Sequence, residues 1–377
     1  AGFLSDDIHL SYKSTSIAPS PNTTTFSMTN RRKPRAAAVA AAAAQRQATP
    51  GPKSRAPATT GIPRLTPDEY HLAPAILDRL GVCIFADAAN VEERAEGERL
   101  FWKYLRGTQL GITRDPRTCR NAEWNQLGFM HNGVITKHSI GQSDFLWHCR
   151  QLPNVGRAFA TVWGTDDLVT SFDGAGVQRN PFLSGSEDWR TNTGWYHLDQ
   201  NFHLNPGLEC YQGILNFFDA PAACGSVVVV PGSHRNFQAI FEDKERGDSE
   251  QVKLNQPGDF ERWCAGAVQP VLQAGDLFLW DSRVVHCNQA CAEARLEAIM
   301  PGREDQLLAR LVAYICQIPR ARVPEHIAHE RRRFVEEGLT GTHRPMTLPS
   351  RKFQASRLAP AAGYKCPARG DPLWRLV

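Results

Sequence analysis

The spacing of apolar residues changes near residue 165. Before that point, apolar side chains recur mostly at helical intervals. Thr66 and Glu69 have the spacing of a capping box and predict a helix start, and the apolar "GVCIF" at residues 81–85 predicts a short buried strand. Helices are also predicted for residues 91–107 and for residues 143–164, where a proline must interrupt the second of them. We expect these helices to pack on a sheet that forms later in the chain.

Beyond residue 165 the chain alternates short apolar stretches with Gly, Pro, Asp and Asn. This pattern is typical of antiparallel strands in a sandwich or barrel. We predict a mainly β fold with flanking helices, built on a double-stranded β-helix, that is, a jelly-roll or cupin-like core. The predicted strands fall within residues 167–172, 208–218, 226–234, 267–273, 276–282 and 310–318.

Composition divides the chain into three parts. Residues 1–64 are rich in Ser, Thr, Pro and Ala and carry nine Lys or Arg against two Asp, so we predict a disordered basic tail. Residues 65–345 are predicted to form the helix-flanked jelly-roll domain, with its core at 165–320, and residues 346–377 a C-terminal extension. The tail resembles an organelle transit segment, although "RRKPR" also suits a nuclear address and an extension without a destination is a further alternative.

Charge and cysteine content narrow the functional classes. The net charge is +4, and subtracting the tail's +7 leaves −3, so the rest of the chain lacks the basicity expected of a protein that binds a phosphate backbone. No apolar run is long enough to cross a bilayer. Ten cysteines without a CxxC pair favour reduced thiols in an intracellular protein, either cytoplasmic or organellar. We therefore expect a small-molecule or lipid-like partner and no nucleic acid.

The stretch "GWYHLDQ" carries His197 and Asp199 two positions apart. On a strand, two such side chains point to the same face and could bind one metal ion. A solvated strand face is the simpler explanation, because about one HxD is expected by chance in a chain of this composition. The pair alone therefore does not establish a metal site.

A third candidate ligand lies 87 residues beyond Asp199, in "AGDLFLWDSRVVHCN". His286 follows an apolar strand and a polar corner there, and the separation lets the chain return on a neighbouring strand. Two imidazoles and one carboxylate form the set that suits non-haem Fe(II). Zinc accepts the same ligands, but zinc hydrolysis also needs a general base, and no HExxH or similar motif supplies one.

Arg310 shares a predicted strand face with Val312 and Tyr314. A charged residue on a strand that enters the core needs a partner. A dicarboxylate cosubstrate would provide one, because a guanidinium can hold a carboxylate through two parallel hydrogen bonds. A surface arginine paired with a nearby Glu or Asp is the alternative.

Taken together, "WYHLDQ", "YQGILNFFDAPAACGSVVVVPGSH", "GDLFLWDSRVVHCN" and the downstream arginine resemble the phytanoyl-CoA dioxygenase family of Fe(II)/2-oxoglutarate oxygenases. The resemblance covers about residues 165–320. It implies that His197, Asp199 and His286 bind Fe(II), and that 2-oxoglutarate and O2 are cosubstrates. The 2-oxoglutarate contacts that it implies are Arg310, at the distal carboxylate, Asn288 and Gln212.

The chain departs from the family pattern in two places. Leu198 stands between the first two metal ligands, where some members carry a polar cosubstrate contact. Residues 293–308 are inserted before Arg310, so Arg295 and Arg303 are alternatives for the role of the cosubstrate arginine.

The resemblance also implies a reaction. We expect hydroxylation of an unactivated C–H bond in a small organic or lipid-like substrate, with release of succinate and CO2. Asp199 favours this outcome, since the related halogenating enzymes give up the carboxylate ligand to make room for halide. Two other functions stay open: a non-catalytic jelly-roll that binds a ligand, and an oxygenase that acts on nucleic acid or protein.

Other conspicuous side chains have ordinary structural explanations. His234 of "PGSH" is expected to fix a turn through a hydrogen bond. Trp195 is expected in the core, although it flanks a ligand and could line a pocket. Asp173 and Arg179, on a predicted loop, could meet substrate or simply form a turn.

Overall fold

Helices come first and strands later, as the apolar pattern predicts. The computed structural model describes residues 58–59, 61–185, 187–221, 224–244, 247–291, 305–348 and 364–377. These residues belong to one compact unit that spans Arg55–Val377. Most of the predicted tail, and most of the insertion before Arg310, lie outside the described residues.

The strands of the described ranges are mostly short. In chain order they are β1 (Ala58–Thr59), β2 (Arg64–Leu65), β3 (Val82–Phe85), β4 (Gly128–Phe129), β5 (Val134–Ile135), β6 (Leu168–Thr170), β7 (Ala175–Arg179), β8 (His197–Leu198), β9 (Tyr211–Asn216), β10 (Val227–Val229), β11 (Val252–Lys253), β12 (Val268–Gln269), β13 (Leu277–Asp281), β14 (His286–Asn288), β15 (Leu308–Ile315) and β16 (Gln317–Pro319).

Most of the helices precede the main strands. The α-helices of the described ranges are α1 (Ala73–Leu80), α2 (Val91–Gly107), α3 (Asn121–Trp124), α4 (Asp144–Gln151), α5 (Pro153–Trp163), α6 (Phe237–Ile240) and α7 (Glu325–Glu336). Among the described residues, no helix has both the length and the apolar character needed to cross a membrane.

Helix boundaries follow local chemistry, and the predicted helices are confirmed. Thr66 and Glu69 form the predicted capping box, on a 3-10 turn that leads directly into α1. Asn90 and Glu93 form a second one at the start of α2, where each side chain accepts a hydrogen bond from the other residue's backbone N–H. Pro153 is the first residue of α5, a position where its missing N–H costs nothing, so α4 and α5 are separate helices.

Two large sheets form the core. One has the strand order β1-β12-β10-β14-β8-β11, the other β2-β3-β13-β9-β15-β7-β5-β4, and β6 pairs separately with β16. Nearly all pairs in these sheets are antiparallel; β1 with β12 and β2 with β3 are parallel. The predicted fold class, a jelly-roll core with flanking helices, is confirmed.

Alternation along the strands sorts side chains into an inner and an outer layer. In β10, Val227 and Val229 pack between the two sheets, whereas Val228 joins a cluster on the outer side of the smaller sheet. In β13, Phe278 faces the inner layer, and Leu279 joins the cluster that includes α1, α2, α4 and α5. The helices therefore cover the outer face of the larger sheet. They leave the space between the two sheets available for a functional site.

Candidate metal centre

The two histidines of the predicted metal site meet on neighbouring strands. β8 pairs with β14 so that His197 lies opposite His286, and their ring centroids are 4.3 Å apart. The sequence predicted Asp199 on the same strand as His197, and this is wrong, because Asp199 lies in a bend just after β8. Its carboxylate still reaches both imidazoles, so the fold brings the three residues together.

The spacing of the three side chains suits a single ion. Asp199 Oδ1 is 3.4 Å from His197 Nε2, and Asp199 Oδ2 is 3.3 Å from His286 Nε2. These distances are long for hydrogen bonds. Two ligands at right angles on an ion with bonds of about 2.1 Å lie about 3 Å apart, close to what is seen here. One ligand atom from each residue lies within 4.8 Å of the others.

Backbone carbonyls orient both imidazoles. His197 Nδ1 lies 3.1 Å from the Trp195 carbonyl oxygen, and His286 Nδ1 lies 3.0 Å from that of Val284. A proton on each Nδ1 makes these contacts hydrogen bonds and leaves each Nε2 as a metal ligand. The donor set therefore fits a divalent cation such as Fe(II).

Electrostatics favour the metal-binding forms of these groups. Burial alone would raise the pKa of the Asp199 carboxyl, but His197 and His286 beside it hold that pKa well below its usual range. Burial, followed by the charge of His286, lowers the pKa of His197. Near neutral pH the site therefore presents a carboxylate and a neutral His197 imidazole, the forms that bind metals.

The three residues line a cavity of about 950 Å³ between the sheets. Its walls include Asn288 of β14 and Gln212 of β9, which the family resemblance named as cosubstrate contacts. Gln212 Nε2 donates a hydrogen bond to Asp199 Oδ2 at 3.2 Å, so it touches a candidate metal ligand directly. The volume lies within the range typical of small-molecule sites.

Arg310 is not among the residues that line the cavity. It is 3 % exposed and pairs with Gln178 of β7 just after a bulge at Leu308. Tyr314, four residues further along the same strand, lines the cavity, but Arg310 does not. The alternative of a surface arginine is wrong, because the side chain is buried. Among the described residues, Arg310 Nε has no hydrogen-bond partner.

The other conspicuous side chains divide between cavity and scaffold. Trp195 stacks on the His197 ring at 4.6 Å and lines the cavity, as does Asp173. Arg179 is buried elsewhere, with its guanidinium over the rings of two tryptophans. His234 Nε2 lies 3.0 Å from a carbonyl oxygen of α1, so this histidine has the hydrogen-bonding role that the sequence suggested.

Residues 131–290 match the family model of phytanoyl-CoA dioxygenase (PhyH). The chain carries a phytanoyl-CoA dioxygenase domain. It is therefore a 2-oxoglutarate-dependent non-haem iron dioxygenase, whose cofactor is Fe(II) and whose cosubstrates are 2-oxoglutarate and O2.

A curated relative and two solved structures extend the comparison. "Ava biosynthesis cluster protein O" of Aspergillus versicolor is 29% identical over 291 residues, which cover 74% of this chain and 85% of the relative. GlcNAc Inducible Gene 2, GIG2 (DUF1479), from Candida albicans superposes with a TM-score of 0.53 at 10% identity, covering 80% of this chain and 76% of that one. The hypothetical protein JW0805 from Escherichia coli superposes with a TM-score of 0.50 at 14% identity, covering 86% of this chain and 85% of that one. The two structures support the fold alone.

One wall of the dioxygenase cavity was not predicted from the sequence. Part of the segment 342–348 lines it, together with the loop at residues 248–251. His343 and Arg344 lie in this segment, in "GTHRP". No periodic pattern or family motif marks them, because their place depends on the chain folding back to Asp199 from far along the sequence.

Arg344 fixes this wall to the metal centre. Its side chain is 5% exposed and forms ion pairs with Glu209 and, at 2.7 Å, with Glu250. Arg344 Nη2 also donates to the Asp199 carbonyl oxygen at 3.2 Å. One guanidinium thus holds the C-terminal segment, the loop before β11 and the bend that carries Asp199.

Backbone contacts hold the same segment from the other side. Gly141 N donates to Thr340 Oγ1 at 3.1 Å, and Gly341 N donates to the Phe172 carbonyl oxygen at 2.7 Å. A Cβ at position 141 would lie 2.2 Å from that same Phe172 oxygen, so glycine is required for this close approach. The position of His343 therefore depends on packing between segments about 200 residues apart in sequence.

Proposed function

We propose that this dioxygenase hydroxylates an unactivated C–H bond of a small organic molecule. The balanced reaction joins the substrate, 2-oxoglutarate and O2 and gives the alcohol, succinate and CO2. The observation that carries the proposal is the convergence of His197, Asp199 and His286 at the wall of a cavity of about 950 Å³.

His197, Asp199 and His286 would hold the iron, and Arg310, Asn288 and Gln212 would hold 2-oxoglutarate. Bound Fe(II) supplies the redox chemistry that activates O2 for attack on a C–H bond. The assignment of Arg310 to the distal carboxylate is supported by its burial and by its Nε without a partner in the described residues. A buried guanidinium N–H without a partner is costly, and a carboxylate would relieve that cost.

The chain's own residues provide orientation and exclude water. The carbonyls of Trp195 and Val284 hold the two imidazoles in one tautomer. Apolar side chains of the inner layer, Ile214 and Val227 among them, line the same cavity and limit water near the reacting bond. Asp199 supports hydroxylation over halogenation, because a carboxylate already stands where halide would bind.

The cavity volume supports a small substrate, since sites for such ligands usually span about 300–1,000 Å³. The name of the curated relative, a biosynthesis cluster protein, also favours a small metabolite. Neither observation favours a nucleic acid or a protein as the substrate.

To test the proposal, the protein is loaded with Fe(II) in the absence of oxygen and 2-oxoglutarate is added. Bound iron and the metal-to-ligand charge-transfer absorption band are measured first, and the succinate released is measured after exposure to air. We expect stoichiometric iron and slow succinate release even without substrate. Asp199→Ala should lose the iron, while His326→Ala, on the exposed face of α7, should retain it. Full iron binding by Asp199→Ala, or a wild-type protein that never consumes 2-oxoglutarate, would contradict the proposal.

A further inference from the structure

The cavity wall contains buried polar atoms that no described residue satisfies. Six cavity-lining side chains have such an atom, and two of them, Glu250 and Arg344, already pair with each other through other atoms. The remaining four atoms are Thr136 Oγ1, Trp195 Nε1, Trp280 Nε1 and His343 Nε2. Buried polar atoms normally have hydrogen-bond partners, and one left without any costs about 1–3 kcal/mol. Four of them in a single cavity therefore point to a ligand with several polar groups.

The four atoms outside the pair of Arg344 and Glu250 divide between the two ligands of the proposed reaction. Trp280 of β13 pairs with Gln212 of β9, whose side chain contacts Asp199, so its N–H belongs to the cosubstrate side. The other three come from separate parts of the chain. Thr136 follows β5, Trp195 precedes β8 and His343 lies in the C-terminal segment that Arg344 fixes.

Beyond 2-oxoglutarate, which the proposed function assigns to the iron and Arg310, the charges around the cavity do not suit a second anion. Apart from Asp199, the lining includes the carboxylates Asp173, Asp248 and Glu250. Arg344 is the one Lys or Arg among the described lining residues, and it is already paired with Glu209 and Glu250. The several phosphates of a coenzyme A ester would therefore meet carboxylates and no available cation in the described lining.

Aromatic side chains form part of the cavity wall. Phe129, Trp195, Trp280 and Tyr314 all line the cavity. Phe129 is 43% exposed, while Trp280 is 5% exposed. Flat apolar faces with a few polar atoms between them favour a ring compound over a flexible chain, because a ring loses less conformational freedom on binding.

We propose that the substrate is a non-anionic aromatic compound with amide or hydroxyl groups, and that His343 is a specificity residue that hydrogen-bonds one of those groups. This inference rests on the proposed function, because it names the substrate class of the same site. It separates this chain from an enzyme that acts on fatty acyl chains or coenzyme A esters.

The test compares three probes: benzanilide, its isostere trans-stilbene, which lacks the amide, and octanoyl-CoA. Binding is measured by calorimetry and by ligand-detected NMR, with the protein loaded with Fe(II) and 2-oxoglutarate under nitrogen. We expect benzanilide to bind at least about tenfold more tightly than trans-stilbene, because unpaired polar atoms in a site penalise a ligand that lacks partners for them. Octanoyl-CoA should bind more weakly than benzanilide.

Two variants test the residues. His343→Phe retains the ring volume without its nitrogens, and should weaken benzanilide binding about fivefold without changing trans-stilbene binding, the effect of losing one hydrogen bond. Trp195→Phe should act in the same direction, and His326→Phe, on an exposed helix face, is the matched control. If both cavity variants bind benzanilide as the wild type does, or if trans-stilbene or octanoyl-CoA binds more tightly than benzanilide, the inference is wrong.

The two proposals fail in different ways. If iron and 2-oxoglutarate do not bind, the proposed function fails, and NMR with the metal-free protein still reports whether the cavity prefers benzanilide. If iron and 2-oxoglutarate bind normally but the probe preference is absent, the substrate class alone is refuted.

Discussion

Replacement of Arg344 by methionine should destabilise the fold and loosen the metal centre together. Methionine has a similar length and no charge, so the change removes the ion pairs and the hydrogen bond while it retains much of the packing. Arg344 and Glu209 are 5% and 11% exposed, whereas Glu250 is 40% exposed. The energetic cost therefore comes mainly from Glu209, which would remain as a buried carboxylate without its partner.

The expected magnitude follows from that burial. Removal of one partner of a buried ion pair costs about 3–5 kcal/mol, and we expect about 3 kcal/mol because Glu209 retains slight exposure. For a folded unit of this size, each kcal/mol of lost stability lowers Tm by about 2 °C, so we expect Tm to fall by about 6 °C. Arg333→Met is the matched control, because its partners Glu330 and Glu337 are 43% and 50% exposed, and pairs of that kind contribute less than about 1 kcal/mol.

The pH dependence has a definite sign. Burial raises the pKa of Glu209, and Arg344 opposes that rise. Without Arg344 the folded-state pKa of Glu209 rises further. The charge-dependent part of the variant's deficit is therefore full above that pKa and disappears as the pH falls below the wild-type folded pKa, which itself lies above the unfolded value near about 4.3.

Urea denaturation measures these effects, at about pH 5 and at about pH 8. It compares the wild type with Arg344→Met, Arg333→Met and the double variant Arg344→Met/Glu209→Gln. The added Glu209→Gln change should restore about half of the loss, because it removes the unpaired charge. A deficit no larger than that of Arg333→Met, or equal at both pH values, would refute this reasoning.

Two further predictions concern the metal centre and the wall beside it. Gln212→Ala removes the hydrogen bond to Asp199 and should weaken Fe(II) binding about tenfold in an anaerobic titration, the usual effect of losing a residue that orients a metal ligand; unchanged affinity would count against this role. Gly141→Ala places a Cβ 2.2 Å from the Phe172 carbonyl oxygen and should lower the free energy of unfolding by more than about 2 kcal/mol. Gly156→Ala lies in α5, where a Cβ would have nothing within 4 Å, and should raise the free energy of unfolding by about 0.5–1 kcal/mol. Equal effects of the two glycine substitutions would contradict the role assigned to Gly141.

Local patterns were sufficient for the secondary structure and for the metal-binding set. The helix at residues 91–107 was predicted with its observed bounds, because the pattern that marks it lies within neighbouring residues, although the capping box of Asn90 and Glu93 that begins it was found only in the structure. His197, Asp199 and His286 were found from two short motifs and their separation, although Asp199 lies in a bend and not on a strand. Arg310 was placed correctly on a strand, but its depth relative to the cavity could not be predicted, since a bulge at Leu308 and the neighbouring strands set it.

By itself, the sequence determined which segments become strands and which residues are candidates to bind iron, since both depend on residue type and short-range spacing. Only the tertiary structure decided what surrounds the candidate metal site. The wall formed by His343 and Arg344 depends on a glycine contact with Phe172 and on ion pairs with Glu209 and Glu250, and such contacts between distant segments leave no periodic trace in the chain.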